Sequence, residues 1–141
     1  PWIVRSVESV SGAVIRQYGP EKIRSIEFKP DTLERLRTGL ADVVKLPSGT
    51  GGAARSNIVA IAGKTGTAQK LDPNGAYSHN KFVASFVGFA PAEDPLITIV
   101  VSLDEPHPYY YGGVVAAPVF SAVAGDVVRY LKTKQALLMT Q

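Results

Sequence analysis

The stretch "AIAGKTGTAQ", Ala60 to Gln69, decides how the rest of the chain is read. Gly63-Lys64-Thr65 ends as a phosphate-cradling Walker A loop ends, but such a loop needs a glycine five positions before the Gly-Lys pair and must run into a helix facing the anion. That position is Ile58 here. The residues that follow, Thr65-Gly66-Thr67-Ala68-Gln69, set two β-branched side chains around a glycine, with Pro73 soon after. Such a run favours a strand over a helix, so the nucleotide-binding reading is disfavoured.

The neighbouring segments support a strand. Ile58 to Gln69 reads as extended, Leu71 to Asn80 as a polar loop with an Asp72-Pro73-Asn74-Gly75 turn, and Phe82 to Ala90 as a second strand. Pro91 to Pro95 is a tight connection to Ile97-Thr98-Ile99-Val100-Val101, a β-branched run expected to be covered on both faces. Links this short favour antiparallel pairing, since a parallel return needs a long crossover.

Upstream, Trp2 to Val7 and Ala13 to Tyr18 read as a hairpin around the polar turn Glu8 to Gly12, and Ile23 to Phe28 as a further extended run ending at Pro30. Asp31, with Glu34 three residues on, reads as the N-cap of a helix whose Leu33, Leu36, Leu40, Val43 and Val44 share one face. It should stop near Leu46-Pro47, before the glycine-rich loop Ser48 to Gly52. Downstream of a Pro- and Tyr-rich loop from Asp104 to Gly113, Phe120, Val123, Ala124, Val127 and Leu131 mark a last helix, with Pro118 near its first turn. The expectation is an α+β fold, an antiparallel sheet packed with helices. Residues 1–57 carry the hairpin, helix and glycine-rich loop, and 58–141 the remaining strands and helix; neither part is large enough to be a comfortable separate domain.

Composition narrows the function classes. Over 141 residues, 45% hydrophobic and 19% charged content describes a soluble globular domain, with no unbroken apolar stretch of roughly 18 residues. A net charge of +3, with Lys and Arg scattered, does not make the clustered basic face of a nucleic-acid binder. The absence of cysteine removes thiol nucleophiles and cysteine zinc sites, and His79 and His107 have no ligand-spaced partners, so neither metal nor cofactor is expected. Beginning on Pro1-Trp2 without Met, the chain reads as a piece of a longer polypeptide.

The strand residues suggest a chemistry. A lysine ammonium offers charge and donors that steer protons and favour an anionic substrate group. Two threonine hydroxyls can hold a carboxylate, a glycine lets a peptide lie along the backbone, and the Thr67 N–H can face an oxyanion. Strand alternation, however, puts Lys64 and Gly66 toward one face and Thr65 and Thr67 toward the other. All can serve one ligand only at an open sheet edge, with the ligand alongside.

"VAIAGKTGTAQK", "KFVASFVGFAPAEDPLITIVVSLDEP" and "YYYGGVVAAPVFSAVAGDVVRYL" together closely resemble the C-terminal part of the transpeptidase domain of class B, cell-division type penicillin-binding proteins, from about Ile58 to Leu131. The resemblance extends more loosely through the Asp31 helix and the "GTGGAA" loop. It implies part of the fold shared with serine β-lactamases: a five-stranded sheet covered by helices, in which the Lys-Thr-Gly strand walls the cleft. It also implies a peptidoglycan D,D-transpeptidase that acylates a serine with the D-Ala-D-Ala end of a stem peptide, passes the acyl group to a neighbouring amine, and is acylated by β-lactams. By the same resemblance Lys64 is the catalytic lysine of this box, Thr65 and Thr67 bind the substrate carboxylate, and Gly66 gives clearance. The implied location is the extracytoplasmic face of the bacterial membrane, with an N-terminal anchor outside this chain and divisome proteins as possible partners.

Two further boxes of that family, Ser-x-x-Lys and Ser-x-Asn, are not found in their expected context. Ser78-His79-Asn80-Lys81 matches both formally, but it follows the Lys-Thr-Gly strand and leads into another strand, whereas the family's nucleophile precedes that strand and opens a helix. The isolated chain is therefore expected to be inactive, with the nucleophile in a missing N-terminal part of the same domain. The alternative is a non-catalytic scaffold or peptide-binding module of the same fold. Asp104-Glu105 read as solvated loop charges, since adjacent carboxylates in an extended segment point apart and cannot flank one bond as in glycosidases. Tyr109 to Tyr111 read as cover for a core edge, and Ser48 to Arg55 as a flexible connector rather than an anion-binding nest. A piece of a shared core is also expected to leave apolar surface uncovered.

Overall fold

A computed structural model describes residues 3–139, with side chains through 135; Trp2 lies outside the described residues. A hairpin of β1 (Ser6–Glu8) and β2 (Val14–Gln17) leads through irregular chain to α1 (Pro30–Lys45) and a 3-10 turn, Gly52–Ala54. Then come β3 (Ala62–Leu71), β4 (Tyr77–Ala90), β5 (Ile97–Asp104) and α2 (Gly112–Met139). β3, β4 and β5 form one antiparallel sheet in that order, with Thr65 opposite Phe86 and Phe86 opposite Val101.

The core follows from the period of two along β4. Ala84, Phe86, Gly88 and Ala90 point to one face and are buried there. Against them α2 lays Ala116, Ala117, Phe120, Ala124 and Val128. This spacing of three and four places them on one helical stripe. Phe86 and Phe120 rings meet at 4.8 Å, tilted by 58°, at the centre of this layer. By length and composition alone Gly112–Gln135 is apolar enough to cross a membrane, although Asp126 and Arg129 interrupt it, so that no unbroken apolar run fills that length. Its buried stripe is accounted for by the sheet it packs on.

Several sequence expectations need correction. α1 starts two residues early, at Pro30, and Lys29 rather than Asp31 is its N-cap; Asp31 sits in the first turn, and no side chain caps the end. Proline's fixed φ and missing N–H suit that position, so the ring sets the start. Of the predicted apolar face of α1 only Val44 is buried, at 3% exposure, while Leu36 is 50% exposed. The N-terminal half of the helix meets nothing among the described residues that would cover it. Ile23 to Phe28 forms no strand, because no neighbouring strand pairs with it. β5 alternates half-buried and exposed rather than being covered on both faces, since α2 lies on one side only. Pro118 falls inside α2 rather than near its first turn, because the helix begins at Gly112.

The glycine-rich loop is anchored, not a free connector. Arg55 wraps the end of α1, donating from Nε to Val44 O (2.8 Å) and from Nη2 to Leu46 O (3.1 Å) and Lys45 O (3.3 Å). The N–H groups of Gly49 and Gly51 are taken by Leu46 O and Val43 O, and those of Ala54 and Arg55 by Gly51 O and Gly52 O. These four donors, satisfied internally, are not free to bind an anion. The loop instead holds Thr50 in place beside β3.

Candidate functional site at the open edge of the sheet

Among the described residues β3 pairs only with β4, so one side of its backbone is free. Thr65 and Thr67 oppose Phe86 and Ala84, which places both hydroxyls on the face that α2 covers. Lys64 and Gly66, of opposite parity, belong to the other face. The lysine nevertheless comes round the edge. Its Nζ donates to Thr65 O at 2.8 Å and lies 3.4 Å from Thr65 Oγ1. Thr65 O therefore points outward, and the period of the strand puts the Thr67 N–H on that same open side. The edge placement that the sequence demanded is met.

Three elements distant in sequence close a groove of about 390 Å³ over this edge, lined by Thr50, Thr65, Thr67, Tyr111, Gly113 and Val114. Thr50 Oγ1 and Thr65 Oγ1 share a hydrogen bond of 2.8 Å. The N–H of Gly112, first residue of α2, donates to Thr67 Oγ1 at 3.1 Å. A Cβ on Gly112 would collide with Ser85 O and Gly66 O, so only glycine lets the helix start this close to the β3–β4 pair. The terminus of a long helix carries a partial positive charge from its unpaired N–H groups. With the Lys64 ammonium at the rim and no acidic side chain in the lining, the groove suits an anion.

Thr50 was not singled out from the sequence as a site residue. Nothing local marks it, and only the anchoring of its loop on α1 brings it to Thr65. Gly66 has a second reason to be glycine: a Cβ there would strike Ser85 Oγ from its cross-strand partner. Of the tyrosines, Tyr110 stacks on Phe82 (4.2 Å, 12°) as structural cover, while Tyr111 lines the groove. The Asp104 and Glu105 carboxylates are not free loop charges, for both pair with Lys70, at 2.8 and 2.7 Å. The hydrogen bonds that Lys70 Nζ donates to Asp104, then to Glu105, raise its pKa above the ordinary lysine value. Ser78 is fully buried and donates to Asn80 Oδ1 at 3.0 Å, unable to meet a substrate in the groove.

The sequence matches the family described as penicillin binding protein transpeptidase domain over residues 1–125. It is 43% identical over 105 residues to a probable peptidoglycan D,D-transpeptidase, PenA, of Neisseria gonorrhoeae, covering 74% of this chain and 18% of that protein. With the peptidoglycan D,D-transpeptidase FtsI of Escherichia coli K12 it shares 40% identity over 112 residues, 79% of this chain and 19% of the relative. Among solved structures, penicillin-binding protein 3 of the tubercle Mycobacterium, in complex with ampicillin, superposes with a TM-score of 0.70 at 30% identity, covering 92% of this chain and 30% of that one. The chain thus spans about a fifth of the length of these curated relatives.

Proposed function

The chain belongs to the penicillin-binding-protein transpeptidase domain family, and from that premise we propose that it supplies one wall of the active-site cleft of a serine D,D-transpeptidase. The observation that carries this is the convergence of Lys64, Thr65, Thr67 and Thr50 on one groove at an open strand edge, under the N-terminus of α2. The ligand is an acyl donor with a terminal carboxylate, the D-Ala-D-Ala end of a peptidoglycan stem or the β-lactam that mimics it.

The Thr50, Thr65 and Thr67 hydroxyls hold the carboxylate, helped by the helix terminus and the Lys64 charge. The donor's backbone lies along the free edge of β3, as an added strand does. A serine hydroxyl from another part of the same domain attacks the penultimate D-Ala carbonyl and gives up its proton, forming a tetrahedral oxyanion. The Thr67 N–H faces that oxygen. Lys64, through its ammonium, favours the anionic states along this path. Collapse breaks the C–N bond and terminal D-Ala leaves as the protonated amine. The amine of a neighbouring stem then attacks the ester carbonyl, forming the cross-link amide and returning the proton to serine. None of these steps calls on a metal or cofactor.

Residues 1–57 and 58–141 are two segments of this one domain, and the apolar surface on α1 is where the remainder of the domain packs. The protein works at the extracytoplasmic face of the membrane, anchored by a segment outside this chain, alongside division proteins.

The test is covalent labelling of the full-length protein with a fluorescent penicillin, the labelled serine located by peptide mass. Labelling of one serine outside these residues is expected, and its loss in Lys64→Ala. Labelling that persists at full rate in Lys64→Ala removes the role given to the lysine. A full-length protein that binds D-Ala-D-Ala peptide but takes no label is the scaffold instead.

A further inference from the structure

Lys70 lies three residues beyond Thr67 on β3, roughly 10 Å along the strand. Its ammonium reaches across β4 to the end of β5, contacting Asp104 Oδ1 (2.8 Å), Asp104 Oδ2 (3.0 Å) and Glu105 Oε1 (2.7 Å). The side chain is 31% exposed, so most of it is packed. Isolated surface ion pairs contribute little, but one cation shared by two adjacent carboxylates also cancels their mutual repulsion.

The corner it holds is strained. Glu105 has φ of 47°, the only non-glycine residue with positive φ among the described residues. Such a conformation costs on the order of 1 kcal/mol or more and persists only where surroundings enforce it. Here two contacts enforce it: the Lys70 pair and a hydrogen bond from Glu105 N–H to Phe82 O (2.9 Å).

From that corner the chain returns to the groove. Tyr110 stacks on Phe82, Tyr111 forms part of the groove wall, and the Gly112 N–H reaches Thr67 Oγ1. The loop is thus pinned at both ends to the same two strands, to Lys70 and Thr67 of β3 and to Phe82 of β4.

We propose that Lys70 is a positioning residue for the groove: by gripping Asp104 and Glu105 it fixes the bend from which the 106–111 loop delivers Tyr111 and the Gly112 N–H to Thr67. Lys70 touches no substrate. Its effect on acylation rests on the acyl-transfer role proposed above, but its effect on the loop does not.

The experiment measures two things in the full-length protein: fluorescent-penicillin acylation, split into reversible binding and chemical step, and hydrogen exchange at the Gly112 amide. For Lys70→Met the second-order acylation constant is expected to fall about tenfold, within the range that small misplacements cost. The loss falls mainly in reversible binding, because Lys64 and the nucleophile are untouched. Gly112 exchange accelerates. Lys70→Arg recovers most of both, and Glu105→Gln gives a smaller loss in the same direction that is not additive with Lys70→Met. Should Lys70→Met fail to fold, Lys70→Arg and Glu105→Gln carry the same test. Unchanged acylation with Gly112 still protected overturns the proposal, as does an acylation loss confined to the chemical step. If the unsubstituted protein takes no label, the acyl-transfer reading fails, and Gly112 exchange alone decides the role of Lys70.

Discussion

The two outer strands of the sheet have the same backbone opportunity and different fates. β3 and β5 each pair with β4 on one side only among the described residues. On the face that α2 covers, β5 presents Ile97, Ile99, Val101 and Leu103, packed against the core. β3 presents Thr65 and Thr67 at the matching positions, with hydroxyls toward a groove. The body of α2 lies over β4 and β5, and apolar side chains pack against it. Its N-terminus lies over β3, where the Gly112 N–H finds its acceptor in Thr67 Oγ1. A free strand edge gains a polar groove where a helix end and an anchored loop frame it.

The strongest way to break this contrast is Lys64→Ala. Penicillin acylation of the full-length protein should fall by about 10²- to 10³-fold, the scale of losing one preorganised charge or donor. The melting temperature should hold, because the side chain is exposed. Gly112→Ala tests whether the helix end must touch the strand. Its methyl would collide with Ser85 O and Gly66 O, and a loss of about 1–3 kcal/mol is expected in chemical denaturation, together with slower acylation.

Thr67→Val keeps the shape and β-propensity but removes the acceptor for the Gly112 N–H. Leaving that donor unpaired costs about 1–3 kcal/mol of stability, read in chemical denaturation, and loss of the hydroxyl from the groove should weaken reversible β-lactam binding. The same exchange on the other outer strand, Thr98→Val, should change stability by less than about 0.5 kcal/mol and leave acylation alone, since Thr98 is exposed and no side-chain hydrogen bond is assigned to it. If both exchanges weaken binding equally, the contrast between the strands is wrong.

The smallest effect concerns pH. The Lys70 pKa is raised in the fold, so its contribution is complete below the unfolded lysine value and is lost as pH rises through the higher folded value. Melting curves of wild type and Lys70→Met should therefore stay separated at neutral pH and converge on the alkaline side only beyond the ordinary lysine range.

Much of this was legible locally. The β-branched residues around Gly66 marked a strand, its parity demanded an edge, and Asp72 to Gly75 supplied the turn, closed by Gly75 N–H to Asp72 O at 2.8 Å. The end of α1 was legible too, because Leu46-Pro47 cannot continue a helix. The start of α2 was not. Gly112-Gly113 reads as loop in isolation, and only contact with β3 makes a glycine helix start favourable.

Short-range chemistry therefore determined the three strands of the main sheet and their antiparallel order, though it read Tyr77 to Asn80, the start of β4, as loop and Ile23 to Phe28 as a strand. Packing alone decided that Thr50 meets Thr65, that α2 ends on Thr67, that Lys64 turns round the edge, and that Lys70 is gripped from β5. The reason is physical. Strand and turn preferences depend on a few neighbouring residues, whereas a hydroxyl 15 residues away or a carboxylate 34 away arrives only when the buried layer of Phe86 and Phe120 fixes how the elements lie together.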